Sequence, residues 1–94
     1  MYNLIKKNKM IENKKWALRA TLFHPHADID TMVWEMHYNS KQTALDKMSD
    51  MCNDYINGAV READKFSMWE KVSRYCNILT NNLGFVLEFE VYRV

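Results

Sequence analysis

The sequence predicts an α+β fold: a small two-layer sandwich in which a three-stranded antiparallel sheet carries two helices on one face, in the order ββααβ. Three observations lead there. Residues 15–38 and 85–94 alternate apolar and polar side chains with the two-residue period of strands. Residues 41–57 repeat apolar side chains at the i, i+3, i+4 spacing of a helix, between a serine and a glycine. Ser67-Met68-Trp69-Glu70 has the form of a capping box at the head of another helically spaced run.

In the first strand Trp16, Leu18, Ala20 and Leu22 share one face, and Ala17, Arg19, Thr21 and Phe23 the other. The second strand sets Met32, Trp34, Met36 and Tyr38 against Val33, Glu35 and His37, so the two read as a hairpin closed by a loop of about seven residues. Ser40 is placed to cap the first helix. Its core stripe is Ala44, Leu45, Met48, Met51, Cys52, Tyr55 and Ile56, and Gly58 stands where a left-handed C-terminal cap is expected. Residues 59–66 either continue that helix or form a short turn. The second helix is expected to bury Trp69, Val72, Cys76, Leu79 and Leu83 and to stop at Asn81, Asn82 and Gly84. The last strand then puts Phe85, Leu87, Phe89 and Val91 opposite Val86, Glu88, Glu90, Tyr92 and Val94.

At 94 residues the chain is expected to hold one hydrophobic core over residues 15–94, preceded by a basic N-terminal arm over 1–14. Two glycines and one proline leave little room for irregular loops, and disorder is expected only at the ends. The formal net charge is +1, unevenly spread: Lys6, Lys7, Lys9, Lys14 and Lys15 crowd the start against Glu12 alone. Neither a leader peptide nor a membrane span is evident, and two cysteines without zinc or disulfide spacing suit a reducing compartment. A cytoplasmic protein is expected.

The stretch FHPHADID, residues 23–30, comes nearest to a chemical motif. His24, His26, Asp28 and Asp30 alternate in a way that can set imidazole and carboxylate ligands around a metal, as a metal-dependent hydrolase requires. Pro25, however, ends the strand there, and a polar hairpin loop held by Asp28 or Asp30 is the plainer expectation. No cofactor is expected. Glycine-rich phosphate loops and nucleophile elbows are missing, and Cys52 sits deep within its helix, so an enzyme is not the favoured reading.

Two surfaces remain. Asp46, Asp50 and Asp54 recur every fourth residue and form an acidic stripe along the first helix. The sheet face away from the helices carries Phe23, Val33, Val86, Tyr92 and Val94 among Glu35, Glu88 and Glu90, which outnumber Arg19, in a mixed pattern suited to a protein interface. The seven residues Asp46, Asp50, Asp54, Phe23, Glu88, Glu90 and Tyr92 are the expected partner-binding set, with a homodimer as the simplest occupant. Lys6, Lys7, Lys9, Lys14 and Lys15, near Tyr2 and Trp16, supply the alternative of RNA or DNA binding.

In general character, being short, rich in Lys and Asn and bare of catalytic apparatus, the chain resembles small accessory proteins of bacteriophages and mobile elements. Many of those bind and block a host or defence protein. The resemblance implies a non-enzymatic inhibitor that occludes a protein partner; it carries no residue assignments.

Overall fold

The computed structural model describes residues 15–58 and 65–94. Among them the chain forms β1 (Trp16–Phe23), β2 (Met32–Tyr38), α1 (Lys41–Asn57), β3 (Met68–Ser73), β4 (Cys76–Thr80) and β5 (Val86–Arg93). The strands make one five-stranded sheet in the order β2-β1-β5-β4-β3, with every neighbouring pair antiparallel. The order is thus ββαβββ. The expectation of three strands and two helices is wrong, and the protein is mostly sheet with a single helix among the described residues.

The difference lies in residues 68–80, where a hairpin replaces the second helix. Trp69, Val72, Cys76 and Leu79 have helical spacing, but in the hairpin they divide between the two faces: Trp69 and Leu79 share the helix side with Lys71 and Asn77, while Cys76 joins Glu90 on the open side. Val72, Ile78, Thr80 and Trp69 gain from the roomier pleated surface, and tertiary pairing with β5 decides between the two periods. The Ser67–Glu70 box does not form: the Ser67 N–H donates to the Thr80 carbonyl at 3.0 Å, as a strand partner would. The turn at Arg74 and Tyr75 lacks glycine and uses no left-handed residue, because the register slips between Lys71 and Ser73 and the bulge takes up the twist. Ser73 Oγ accepts the Tyr75 N–H at 3.1 Å and fixes the bend.

The other elements lie where the sequence places them. Ser40 Oγ accepts the Thr43 N–H at 3.1 Å, and Gly58, at φ 98°, returns its N–H to the Asp54 carbonyl at 3.2 Å. Helix α1 lies across β1 and β5. Its Ala44, Leu45, Met48 and Cys52 pack on Leu18, Ala20, Leu79, Leu87, Phe89 and Val91, all buried. Each large side chain so enclosed contributes roughly 1.5–3 kcal/mol over leaving it in water. Phe66 closes the far side of the helix, its N–H donating to the Tyr55 carbonyl at 2.9 Å. The edge strand β2 extends beyond this cover, so Met32 and Trp34 stay about half exposed although they lie on the helix side.

Antiparallel connection sorts the loops to two ends. The β1–β2 loop and the β4–β5 loop meet at one end. The starts of β1 and α1, the β3–β4 turn and the finish of β5 meet at the other.

Candidate functional site

The sheet face turned away from α1 carries no other element among the described residues. Register puts its side chains in rows across the strands: His37, Ala17 and Tyr92; then Glu35, Arg19, Glu90 and Cys76; then Val33, Thr21, Glu88, Ile78 and Glu70. Phe23, Val86, Thr80 and Met68 form a fourth row. Four glutamates therefore stand on this face against Arg19, with Val33 and Met68 well exposed beside them. Phe23, Glu88, Glu90 and Tyr92 of the expected partner set are gathered here.

One corner is tightly organised. Arg19 reaches Glu35 Oε1 through Nε at 3.3 Å and Nη2 at 3.2 Å, and donates from Nη2 to the Tyr92 hydroxyl at 2.9 Å. The Tyr92 hydroxyl donates to the same Glu35 oxygen, while His37 Nε2 meets Glu35 Oε2 at 2.9 Å. Glu35 is the hub. The Tyr92 hydroxyl above all, then His37 and Arg19, hold its carboxyl down from 4.5 to about 2, against a smaller opposing effect of desolvation. The same contact raises the Tyr92 phenol, and the Glu35 hydrogen bond raises Arg19.

A carboxyl more acidic in the folded protein than in the unfolded chain stabilises the fold fully above its ordinary range and ceases to do so as pH falls through about 2. Glu35→Gln is therefore expected to lower stability modestly near neutrality, since the network is exposed, and to remove that same increment from the acid limb, so that parent and variant converge as pH falls from 4.5 to about 2. Nuclear magnetic resonance titration of the Glu35 side-chain carbon checks this directly. A midpoint near 4 in the native protein would contradict it.

The His24 loop is a structural tie. His24 Nδ1 accepts the His26 N–H at 3.1 Å, which leaves Nε2 to carry the ring proton and donate to the Leu83 carbonyl at 2.8 Å. Both imidazole nitrogens are thus engaged within the protein, and the ring stacks edge-on against Phe85 with centroids 5.1 Å apart. His26, Asp28 and Asp30 are exposed, and among the described residues no group of three or more His, Cys, Asp or Glu is arranged to hold a metal ion. The turn-holding expected of Asp28 or Asp30 falls to His24 instead. Across from it Asn81 Oδ1 accepts the Leu83 and Phe85 N–H groups, both at 3.0 Å, a loop-building role that its reading as a helix stop missed.

Asp46, Asp50 and Asp54 are all exposed on α1, hence on the layer opposite the open sheet face. The two halves of the expected partner set therefore cannot meet one flat partner together. Asp46 accepts from Gln42 Nε2 at 2.9 Å and borders a groove shared with Trp69, Lys71 and Arg74. Of the lysine arm, Lys6, Lys7, Lys9 and Lys14 lie outside the described residues, and Lys15 is exposed beside β1. Both cysteines are free thiols. Burial pushes Cys52 up to about 12, and burial followed by Glu88 and Glu90 raises Cys76, so neither is poised as a nucleophile. An apolar groove of about 350 Å³ between α1 and β2, lined by Trp34, Met36, Met51 and Tyr55, was not legible in the sequence. No described helix is long and apolar enough to cross a membrane.

The chain matches no protein-family model, no curated protein and no solved structure. Nothing in these comparisons ties it to the phage-type proteins that it resembles in general character, so its function has to be read from its own surfaces.

Proposed function

We propose that the protein is a non-enzymatic binding module whose open sheet face docks on, and so occludes, a basic protein surface. The supporting observation is the composition of that face: Glu35, Glu70, Glu88 and Glu90 stand against Arg19 in rows that also present Val33, Ile78, Val86 and Phe23. Apolar side chains supply desolvated contact area, and the acidic excess selects partners of opposite sign and speeds encounter. The Arg19–Glu35–Tyr92 corner adds preorganisation, because its side chains are already held in one arrangement before docking. The free thiols suit a cytoplasmic, reducing setting.

Capture from source-cell extract tests the face. Proteins recovered on the native chain are expected to be lost with Glu88→Lys/Glu90→Lys and kept with Asp46→Lys/Asp50→Lys/Asp54→Lys, while both variants melt as the parent does. The reverse pattern would overturn the assignment and move the interface to α1.

A second reading has an observation of its own. Strand β2 is a sheet edge with Met32, Val33 and Trp34 exposed, and such an edge pairs readily with another strand. Two copies joined through β2 would form the homodimer expected from the sequence. Sedimentation at rising concentration distinguishes it: a dimer dispersed by Val33→Lys supports edge pairing, and a monomer throughout rejects it.

A further inference from the structure

The end of the sheet remote from His24 collects cations around aromatic rings. Trp16 opens β1, Arg93 closes β5 directly opposite it, Tyr75 lies in the β3–β4 turn, and Lys41 starts α1. Lys41 Nζ stands 5.8 Å from the Trp16 ring centre and 6.0 Å from that of Tyr75, so one ammonium bridges two rings from separate parts of the chain. The Arg74 guanidinium lies 5.9 Å from the Tyr75 ring. Lys15 adjoins the group, its carbonyl accepting the Val94 N–H at 2.7 Å. Among the described residues Lys15, Lys41, Arg74 and Arg93 form no ion pair, whereas Arg19 on the open face is paired with Glu35.

We propose that this end binds single-stranded nucleic acid, with the four cations on the phosphate backbone and Tyr75, aided by the rim of Trp16, as the base-stacking platform. Clustering like charges costs stability, and among the described residues the contacts of Lys41 and Arg74 with the Trp16 and Tyr75 rings are what offsets it, with no carboxylate paired to any of the four cations; a polyanion supplies the missing negative charge. The choice among polyanions follows from the rings. Unpaired bases present flat faces that stack on aromatic side chains, whereas a duplex offers only its phosphates to such a surface. Continuity gives a second argument. In the sequence Lys15 follows a stretch that holds Lys6, Lys7, Lys9 and Lys14 against Glu12 alone. The acidic rows on the open face and Asp46 at the groove edge bound the patch and orient a strand away from them. This site lies apart from the sheet face proposed for protein docking and fails or stands independently of it.

Fluorescence anisotropy with the full chain and labelled 15-nucleotide single-stranded DNA and RNA tests the proposal, with the matching duplex and heparin as charge-only probes. Single strands of either sugar are expected to bind more tightly than the duplex, with affinity falling steeply as salt rises. Lys41→Glu/Arg74→Glu is expected to weaken binding at least about tenfold and to reduce the salt slope by about 0.7 for each phosphate that no longer meets a cation. Tyr75→Ala is expected to weaken it about fivefold or more at unchanged salt slope, since stacking carries no counterion release. Circular dichroism melting shows that each variant keeps the fold; Lys41 and Tyr75 are both surface positions, which keeps the test open if one variant misfolds. Absence of single-strand binding, equal binding of duplex or heparin, or binding indifferent to both variants would overturn the proposal.

Discussion

Phe89→Ala is expected to cost about 3–5 kcal/mol, the usual range for deleting a fully enclosed aromatic side chain. Phe89 is 0% exposed at the middle of β5, between Ala20 of β1 and Asn77 of β4, with the Tyr55 ring of α1 above it at 6.2 Å between centroids. No neighbour can refill the void cheaply, because Ala20 is small and Asn77 is held by the Trp69 Nε1–H at 2.8 Å. A domain of this size has about 5–15 kcal/mol in all, so the variant is expected to lose a large fraction of the fold's stability. Phe89→Leu, which keeps much of the volume, is expected to cost less than about 2 kcal/mol. Urea denaturation reads both, and an alanine variant within about 1 kcal/mol of the parent would show that α1 does not pack on this strand as described.

Gly84→Ala is expected to cost about 2–3 kcal/mol from two separable sources. Gly84 sits at φ 88°, where a side chain is strained, and an added Cβ would lie 2.6 Å from His24 Nε2. The imidazole cannot withdraw without giving up the Leu83 carbonyl. Removing the ring separates the sources: in a His24→Ala background the same glycine change is expected to cost only about 1–2 kcal/mol, the backbone strain alone. Equal costs in both backgrounds, measured as a double-mutant cycle by denaturation, would show that His24 is not packed against this turn. The cycle bears on function as well, because a histidine fixed between two loops is not free for the chemistry its spacing suggests.

The first hairpin, α1 with both caps, and the last strand were legible because each carries a local signal: strict alternation, a serine cap, a glycine at a left-handed position. The β3–β4 hairpin was not. Its turn is made by Arg74 and Tyr75 with a bulge, so none of the Asn-Gly or Asp-Gly chemistry that advertises a hairpin is present, and the helical spacing of Trp69, Val72, Cys76 and Leu79 points the other way. Pairing with β5, which is non-local, decided it. The misplacement had a consequence for the surface, since Glu70 and Ile78 belong to the open face and strengthen its acidic and apolar character. The basic end was hidden for the same reason: Tyr75 and Arg74 come beside Lys41 and Trp16 only once residues 68–80 turn back on themselves. His24 misled in the opposite direction, because spacing shows which residues can face one another but not which backbone groups will claim their nitrogens.

Both proposed surfaces depend on residues 68–80 being paired strands that complete a five-stranded sheet. Nuclear Overhauser contacts over this segment test that claim most directly. Cross-strand contacts between Trp69 and Leu79, Leu79 and Leu87, and Asn77 and Phe89 are expected. A continuous series of i to i+3 contacts through 68–80, as an amphipathic helix gives, would contradict the fold and both surfaces with it.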